Sequence, residues 1–129
     1  MRVLICGSRL WEDADTIRAA LEILRPDAVL HGACRGADCQ AGCEAAALDI
    51  DVEEFPADWS LGPSAGPIRN SAMLQTKPDL VVAFVRRTPN ANTGTYDTVN
   101  KARRMGIPVV EIYGAGCLDK LEQYAEDRD

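Results

Sequence analysis

Residues 2–9 have the sequence RVLICGSR, and this stretch decides the fold. Residues 2–6 are almost entirely apolar, which is typical of a strand buried on both faces of a sheet. Gly7, Ser8 and Arg9 follow at once. A glycine lets the backbone approach a ligand, and a hydroxyl with a guanidinium can bind phosphate or ribose oxygens. The same glycine also suits an ordinary tight turn, so both interpretations stay open.

Short apolar runs alternate with helical segments through the rest of the chain. Strands are predicted at residues 2–6, 28–30, 52–55, 80–84 and 109–113. Helices are predicted at residues 13–24, 38–48, 67–75, 94–105 and 118–125, with loops at 56–66 and 85–93 and a frayed end at 127–129. This alternation predicts one α/β domain, residues 1–129, whose mainly parallel five-stranded sheet lies between two helical layers.

Local signals predict where several helices begin and end. Asp13 or Asp15 can cap the first helix through a carboxylate oxygen. Pro67 suits the first position of the third helix, because its missing N–H has no partner there in any case. Gly106 is a natural stop after the fourth helix.

Composition excludes several classes of function. The 129 residues include 14 Lys and Arg against 20 Asp and Glu, a net charge of −6 that argues against a duplex nucleic-acid partner. No run of eighteen apolar residues predicts a membrane span. The chain has five cysteines and begins without an export signal, so we expect reduced thiols in a cytoplasmic protein.

Chemically active residues follow the predicted strands, at the sheet edge where parallel α/β domains bind ligands. Gly32 and Gly36 flank Arg35 at the entrance of the second helix, which predicts an anion site of backbone amides and one guanidinium. Asp38 would cap that helix or accept a ribose hydroxyl. The stretch lacks the Lys-Ser/Thr pair of a P-loop, and an ordinary glycine loop with a solvated arginine is the alternative.

Arg69 and Asn70 fall in the predicted first turn of the third helix. The helix dipole disfavours a cation there, which suggests a role in phosphate binding or leaving-group stabilisation. A surface ion pair with Asp58 or another carboxylate is the alternative.

Gly94 and Thr95 open the predicted fourth helix, where free amides and hydroxyls can also bind an anion. The simpler interpretation is that Thr93 or Thr95 caps this helix and that Asp97 complements its dipole.

Other side chains allow two interpretations each. Trp59 can stack on a base or pack as a lid, and Trp11 carries the same ambiguity. His31 can act as a general base or as a structural hydrogen-bonding group. We predict no metal, because the spacing of the candidate ligands fits no common zinc pattern; these are His31, Cys34, Cys39 and Cys43.

Five motifs in order resemble the SLOG superfamily, and more closely its YspA/cpYpsA-related branch, also called domain of unknown function 2493. They are residues 3–9 (VLICGSR), 31–38 (HGACRGAD), 55–59 (FPADW), 66–70 (GPIRN) and 94–95 (GT). The resemblance runs from residue 2 to about residue 110. It implies a Rossmann-like fold that binds a nucleotide or a nucleotide-derived ligand.

A more distant similarity is to LOG-type enzymes, which cleave the N-glycosidic bond of nucleoside 5′-monophosphates. Their Arg-Lys pair corresponds to Arg69 and Asn70 here, so the lysine is replaced. Those enzymes also carry a PGGxGTxxE motif, whose glycine-threonine pair corresponds to Gly94 and Thr95 and whose glutamate corresponds to Thr98. Asp97 lies one residue before that position, about 100° away around a helix. A carboxylate beside the sugar is needed for such cleavage, and Asp97 or Asp38 would have to supply it.

Three functions follow as hypotheses: a nucleotide-binding or sensing module, a phosphoribohydrolase that uses Arg69 with Asp97 or Asp38, and a self-associating scaffold with a vestigial pocket. We expect a homodimer, because enzyme relatives build their pockets near subunit interfaces, and no cofactor. The expected ligand-binding set is Gly7, Ser8, Arg9, Gly32, Arg35, Gly36, Asp38, Trp59, Arg69, Asn70, Gly94 and Thr95.

Overall fold

A computed structural model describes residues 1–87 and 93–128. The strands are β1 (Arg2–Gly7), β2 (Ala28–His31), β3 (Asp51–Glu54), β4 (Leu80–Phe84) and β5 (Val109–Ile112). The helices are α1 (Ala14–Leu24), α2 (Ala37–Ala47), α3 (Ala65–Gln75), α4 (Thr93–Arg104) and α5 (Asp119–Arg128). Short 3₁₀ helices lie at Trp59–Leu61 and Ala115–Cys117.

All the strands of the described chain lie in one parallel sheet, in the order β3-β2-β1-β4-β5. The central strand, β1, pairs Leu4 with Leu30 of β2 and with Val81 of β4. The chain therefore crosses the sheet between β3 and β4, and the strand order reverses between β1 and β4. This arrangement confirms the predicted Rossmann-like fold.

Alternate side chains of β1 enter two separate apolar layers. Val3 and Ile5 pack into the core beneath α1, α2 and α5, whereas Leu4 and Cys6 pack into the core beneath α3 and α4. A strand buried on both faces needs apolar residues without alternation, which explains the continuous run at the start of the chain.

Two of the predicted helix boundaries are confirmed by their hydrogen bonds. Asp13 accepts from the Thr16 N–H at 3.1 Å at the start of α1. Gly106 has a φ of +78° beyond the end of α4, and its N–H donates to the Arg103 carbonyl at 3.1 Å.

Helix α3 begins at Ala65, two residues before the predicted start, so Pro67 occupies its third position rather than its first. The prediction was wrong because none of the first N–H groups of a helix has an intrahelical partner, and proline is tolerated throughout that turn. Arg69 and Asn70 consequently lie in the second turn, and the dipole argument for Arg69 does not apply.

The structure also differs from the prediction at the end of α5 and in the loop after β4. Helix α5 continues to Arg128 instead of fraying at residue 127, and Asp129 lies outside the described residues. The predicted loop over 85–93 falls mostly on residues 88–92, which are outside them too. Val85 is fully buried, and its N–H donates to the Ile112 carbonyl at 2.9 Å. No helix in the described ranges is long and apolar enough to cross a bilayer.

Candidate functional site

Two adjoining cavities lie at the carboxyl ends of the strands, with volumes of about 470 and 460 Å³. We call them the Trp59 cavity and the Asp38 cavity. The Trp59 cavity is lined by Arg9, Gly32, Ala33, Cys34, Arg35, Pro56, Ala57 and Trp59. The Asp38 cavity is lined by Cys6, Gly7, Arg9, Leu10, Cys34, Arg35, Asp38, Arg69, Asn70, Met73, Thr93, Gly94 and Thr95. Most of the predicted ligand-binding residues therefore meet at this edge of the sheet.

The two cavities share Arg9 and Arg35, together with Cys34, in their walls. Both arginines are exposed, and within residues 1–87 and 93–128 neither guanidinium makes a hydrogen bond or an ion pair. Their donors are therefore available to a bound anion from either side.

The β1–α1 loop is built closely onto the neighbouring backbone. A Cβ atom at Gly7 would lie 2.5 Å from the Phe84 carbonyl oxygen and 2.6 Å from the Ala37 Cβ, so only glycine fits. Ser8 is buried, and its hydroxyl accepts from the Leu10 N–H at 3.1 Å. Gly7 lines the Asp38 cavity, whereas the predicted Ser8 and Gly36 line neither cavity.

Asp38 is the second residue of α2 and is only 6% exposed. The N-cap residue of α2 is Gly36, which has no side chain to cap the helix. The Asp38 carboxylate turns to the β2–α2 loop and accepts from the Gly32 N–H at 2.9 Å. The prediction that Asp38 caps α2 is therefore wrong. Burial raises the pKa of Asp38 to about 6, although the Gly32 N–H and the charge of Arg69 act in the opposite direction.

Arg69 connects α3 to the β2–α2 loop. Its guanidinium donates to the Gly32 carbonyl oxygen, to the Phe55 carbonyl oxygen at 3.4 Å and to the Cys34 Sγ at 3.4 Å. Its Nε donates to the Asn70 Oδ1 at 2.8 Å. Arg69 lines the Asp38 cavity, but the protein itself uses these donors. Arg69 forms no ion pair with Asp58 or another carboxylate of the described residues, and Asp58 accepts from the Ser60 N–H at 3.2 Å.

Asn70 joins the cavity wall to Asp97. Its Nδ2 donates to the Asp97 Oδ2 at 3.0 Å, and the Lys101 Nζ donates to the same oxygen at 2.9 Å. Asp97 contacts these two side chains and does not line either cavity. Gly94 and Thr95 do line the Asp38 cavity. Helix α4 begins at Thr93, so Thr93 and Thr95 are its first and third residues and neither is its cap. Asp97 lies beyond the first turn, so the prediction that it complements the dipole is wrong as well.

The two tryptophans have different surroundings. Trp59 is 53% exposed in the wall of its cavity, and its ring packs against α3 at Gly66, where a Cβ atom would lie 3.3 Å from it. Trp11 is 5% exposed, stacks edge-on against Phe84 with ring centroids 5.4 Å apart, and donates through Nε1 to the Asp13 carbonyl at 2.9 Å. Trp11 is thus a core residue.

His31 is buried and has a structural hydrogen bond: its Nδ1 accepts from the Ala33 N–H at 3.0 Å. Among the described residues, no group of three or more His, Cys, Asp and Glu side chains could hold a metal ion. All five cysteines are free thiols.

Several lining residues were missed by the sequence analysis. Leu10 could have been found by extending the first motif by one residue, and Cys34 lies inside the second motif, beside Arg35. Ala33 has a φ of +58°, a conformation that alanine rarely adopts, and no local signal predicts it.

Comparison with known proteins gives the family of this chain. The model of the family described as "YspA, cpYpsA-related SLOG family" matches residues 1–62, which contain the loops after β1, β2 and β3. The chain is also similar to the Gene 61 protein of Mycobacterium phage D29. The two are 36% identical over 122 residues, which cover 86% of this chain and 95% of the phage protein. On this evidence the chain belongs to the YspA, cpYpsA-related SLOG family.

Proposed function

We propose that the protein binds a nucleotide, or a phosphorylated nucleotide derivative, in the two cavities and acts as a binding or sensing module. The observation that carries the proposal is the pair of exposed guanidiniums, Arg9 and Arg35, at the shared wall, for which the described residues supply no hydrogen-bond or ion-pair partner. In a chain with a net charge of −6, two such cations at one cavity edge favour a localised anion such as phosphate.

The lining of each cavity supports the nucleoside part of this ligand. The exposed indole of Trp59 and the ring of Pro56 offer an apolar surface on which a base can stack. In the Asp38 cavity, Asp38 and Thr95 supply oxygens that can hydrogen-bond ribose hydroxyls, and Gly94 leaves space beside them. Membership of a SLOG family points to a nucleotide-related role as well.

Calorimetric titration with AMP tests the proposal. Arg9→Ala and Arg35→Ala should each weaken AMP binding by about tenfold or more, because each loses a charge-assisted hydrogen bond to phosphate. Arg18→Ala is the matched control: Arg18 is an exposed arginine of α1, paired with Glu22 away from the cavities, and its loss should change the affinity by less than about twofold.

Two results would overturn the proposal. One is equal AMP affinity in the wild type and in both cavity variants. The other is the absence of binding and of thermal stabilisation by AMP, GMP, CMP and UMP at millimolar concentrations. The second result would favour the self-associating scaffold. The homodimer stays a prediction, which sedimentation velocity would test.

One observation favours a catalytic function at the same site. Asp38 lines its cavity with a pKa of about 6, so its carboxyl can exchange a proton near neutral pH, as an acid–base group must. If the protein is a phosphoribohydrolase, Asp38 rather than Asp97 supplies the carboxylate. Chromatography of AMP incubated with the wild type and with Asp38→Asn distinguishes the two functions. Adenine released only by the wild type supports the enzyme, and AMP bound but left intact supports the sensor.

A further inference from the structure

Two titratable side chains hold the loop that separates β2 from α2. His31 accepts the Ala33 N–H at its Nδ1, and Asp38 accepts the Gly32 N–H. Ala33 has a φ of +58°, in the left-handed region that a side chain with a Cβ disfavours. The hydrogen bond to His31 therefore helps to hold Ala33 in this unfavourable conformation. The same loop carries Arg35 into the shared wall of the cavities.

The tautomer of His31 follows from this hydrogen bond. Because Nδ1 accepts, the proton of the neutral ring is on Nε2. Nε2 is buried against α2, where a Cβ atom at Gly42 would lie only 2.7 Å away. The described residues offer Nε2 no hydrogen-bond partner, and the Glu54 Oε1 lies 3.7 Å away. Burial lowers the pKa of His31, while the charge of Glu54 partly opposes this effect.

We propose that His31 is a positioning residue whose protonation frees Ala33 and so weakens ligand binding on acidification. The binding part of this inference rests on the proposed function. A protonated imidazole carries N–H groups on both nitrogens, so Nδ1 can no longer accept. The Ala33 N–H then faces another donor, and the hydrogen bond that supported the left-handed conformation of Ala33 is lost. We call this loss the release of Ala33.

Charged groups around His31 determine how far this release extends. Asp38 faces the loop from α2, and its carboxyl can still accept the Gly32 N–H through one oxygen when it is protonated. Arg69 faces it from α3 and keeps its bond to the Gly32 carbonyl, because a guanidinium stays charged. Cys34 also stays held, because its Sγ accepts from Arg69 and its carbonyl accepts from the Cys39 N–H. Ala33, which lines the Trp59 cavity, is therefore released between two fixed positions.

Two further ionisable groups face the same region. Glu54 on β3 lies near Nε2, so its negative charge favours the protonated ring. Cys39 on α2 adds no negative charge beside His31, since burial and the charge of Asp38 raise the pKa of its thiol and keep it neutral. The pH of the release therefore depends mainly on His31 and Glu54.

NMR of the ligand-free protein tests the release directly. Because burial lowers the pKa of His31, the Ala33 amide should titrate together with the His31 ring as the pH falls below about 6.5. Its protection against hydrogen exchange, corrected for the intrinsic pH dependence, should fall about tenfold or more. An Ala33 amide that keeps its chemical shift and protection while the His31 ring titrates would overturn the proposal.

Two variants separate this role from a merely structural one. His31→Asn places an amide oxygen near the position of Nδ1, so Ala33 should stay protected across the whole pH range. Glu54→Gln removes the charge beside Nε2 from an exposed side chain, so the Ala33 transition should move to lower pH without loss of the fold. If the asparagine variant does not fold, the shift caused by Glu54→Gln still decides the question, and an unmoved transition would contradict the proposal.

Titrations with AMP connect the release to binding. AMP affinity of the wild type should fall more on acidification than that of His31→Asn, and the comparison cancels the titration of the phosphate itself. Parallel losses in the two proteins would contradict the link. If AMP binds neither protein at neutral pH, the proposed function fails, whereas the Ala33 amide measurement still tests the release on its own.

Discussion

Gly36 lies against the Ser8 carbonyl so closely that position 36 has no room for a Cβ atom. Its φ is +78°, and the next residue, Ala37, donates its N–H to the same carbonyl at 3.2 Å. The loop after β2 is therefore joined to the loop after β1 through backbone atoms. Since these loops carry Arg35 and Arg9, this contact sets the relative positions of the two arginines in the shared cavity wall.

Replacing Gly36 should test this contact, and Gly106 provides a matched control. Both have a φ of +78°, but a Cβ atom at Gly106 would meet nothing within 4 Å. Gly106→Ala should lower the free energy of unfolding by about 1–2 kcal/mol, the cost of a left-handed alanine. Gly36→Ala adds a backbone clash, and its ψ of −129° also lies outside the left-handed region open to alanine, so it should lose roughly 2–5 kcal/mol. Urea denaturation would measure both, and equal losses would show that the contact with Ser8 is unimportant.

The two tryptophans should respond differently to a quencher. In Trp11→Phe the remaining Trp59 is 53% exposed, so acrylamide should quench its fluorescence strongly. In Trp59→Phe the remaining Trp11 is 5% exposed and should be protected. AMP should reduce quenching only in Trp11→Phe, because Trp59 lines a cavity. Equal quenching in the two variants, or protection by AMP in Trp59→Phe, would contradict the assignment of Trp59 to the ligand site.

Much of this fold could be predicted because burial leaves a local pattern. The apolar runs of β1 and β4 are continuous, since both faces of these strands are covered. The position of the site then follows from topology, because parallel strands bring the residues after them to one edge. For this reason Arg35 and Gly94, far apart in the chain, could be expected in the same cavity wall.

The remaining features depend on tertiary contacts that the sequence does not encode locally. Arg69 looks like a phosphate ligand from its motif, but its donors bond to the backbone of two distant segments. Trp11 follows a loop motif and yet fills the core against Phe84. Ser8 has a suitable hydroxyl, but it faces its own loop. In each case a distant partner decides the role of the side chain.

Asp38→Asn should change the pH dependence of stability. The pKa of Asp38 is raised from 3.8 to about 6, so the folded protein binds this proton more tightly than the unfolded chain does. The stabilising contribution is complete below about pH 3.8 and is lost as the pH rises through about 6, by about 3 kcal/mol. Asparagine carries no charge and can still accept the Gly32 N–H, so the variant should gain stability over the wild type as the pH rises to 7.

Denaturation by urea at several pH values measures this difference. Comparison with the wild type isolates Asp38, because His31 titrates in both proteins. Asp51→Asn, at an exposed position of β3, changes the net charge equally and serves as the control. Curves for Asp38→Asn and the wild type that stay parallel between about pH 4 and pH 7 would show that the carboxyl is not destabilised by burial.

Asp97→Asn distinguishes the two carboxylates proposed for catalysis. Asp97 binds Lys101 at 2.9 Å with 30% of its side chain exposed, and such pairs contribute less than about 1 kcal/mol. Asparagine can still accept from Asn70, so the wall of the Asp38 cavity should stay in place. AMP affinity should therefore change by less than about twofold, and any adenine release by the wild type should persist. Loss of release in Asp97→Asn with release retained in Asp38→Asn would reverse the assignment and show that Asp97 reaches the sugar in the bound state.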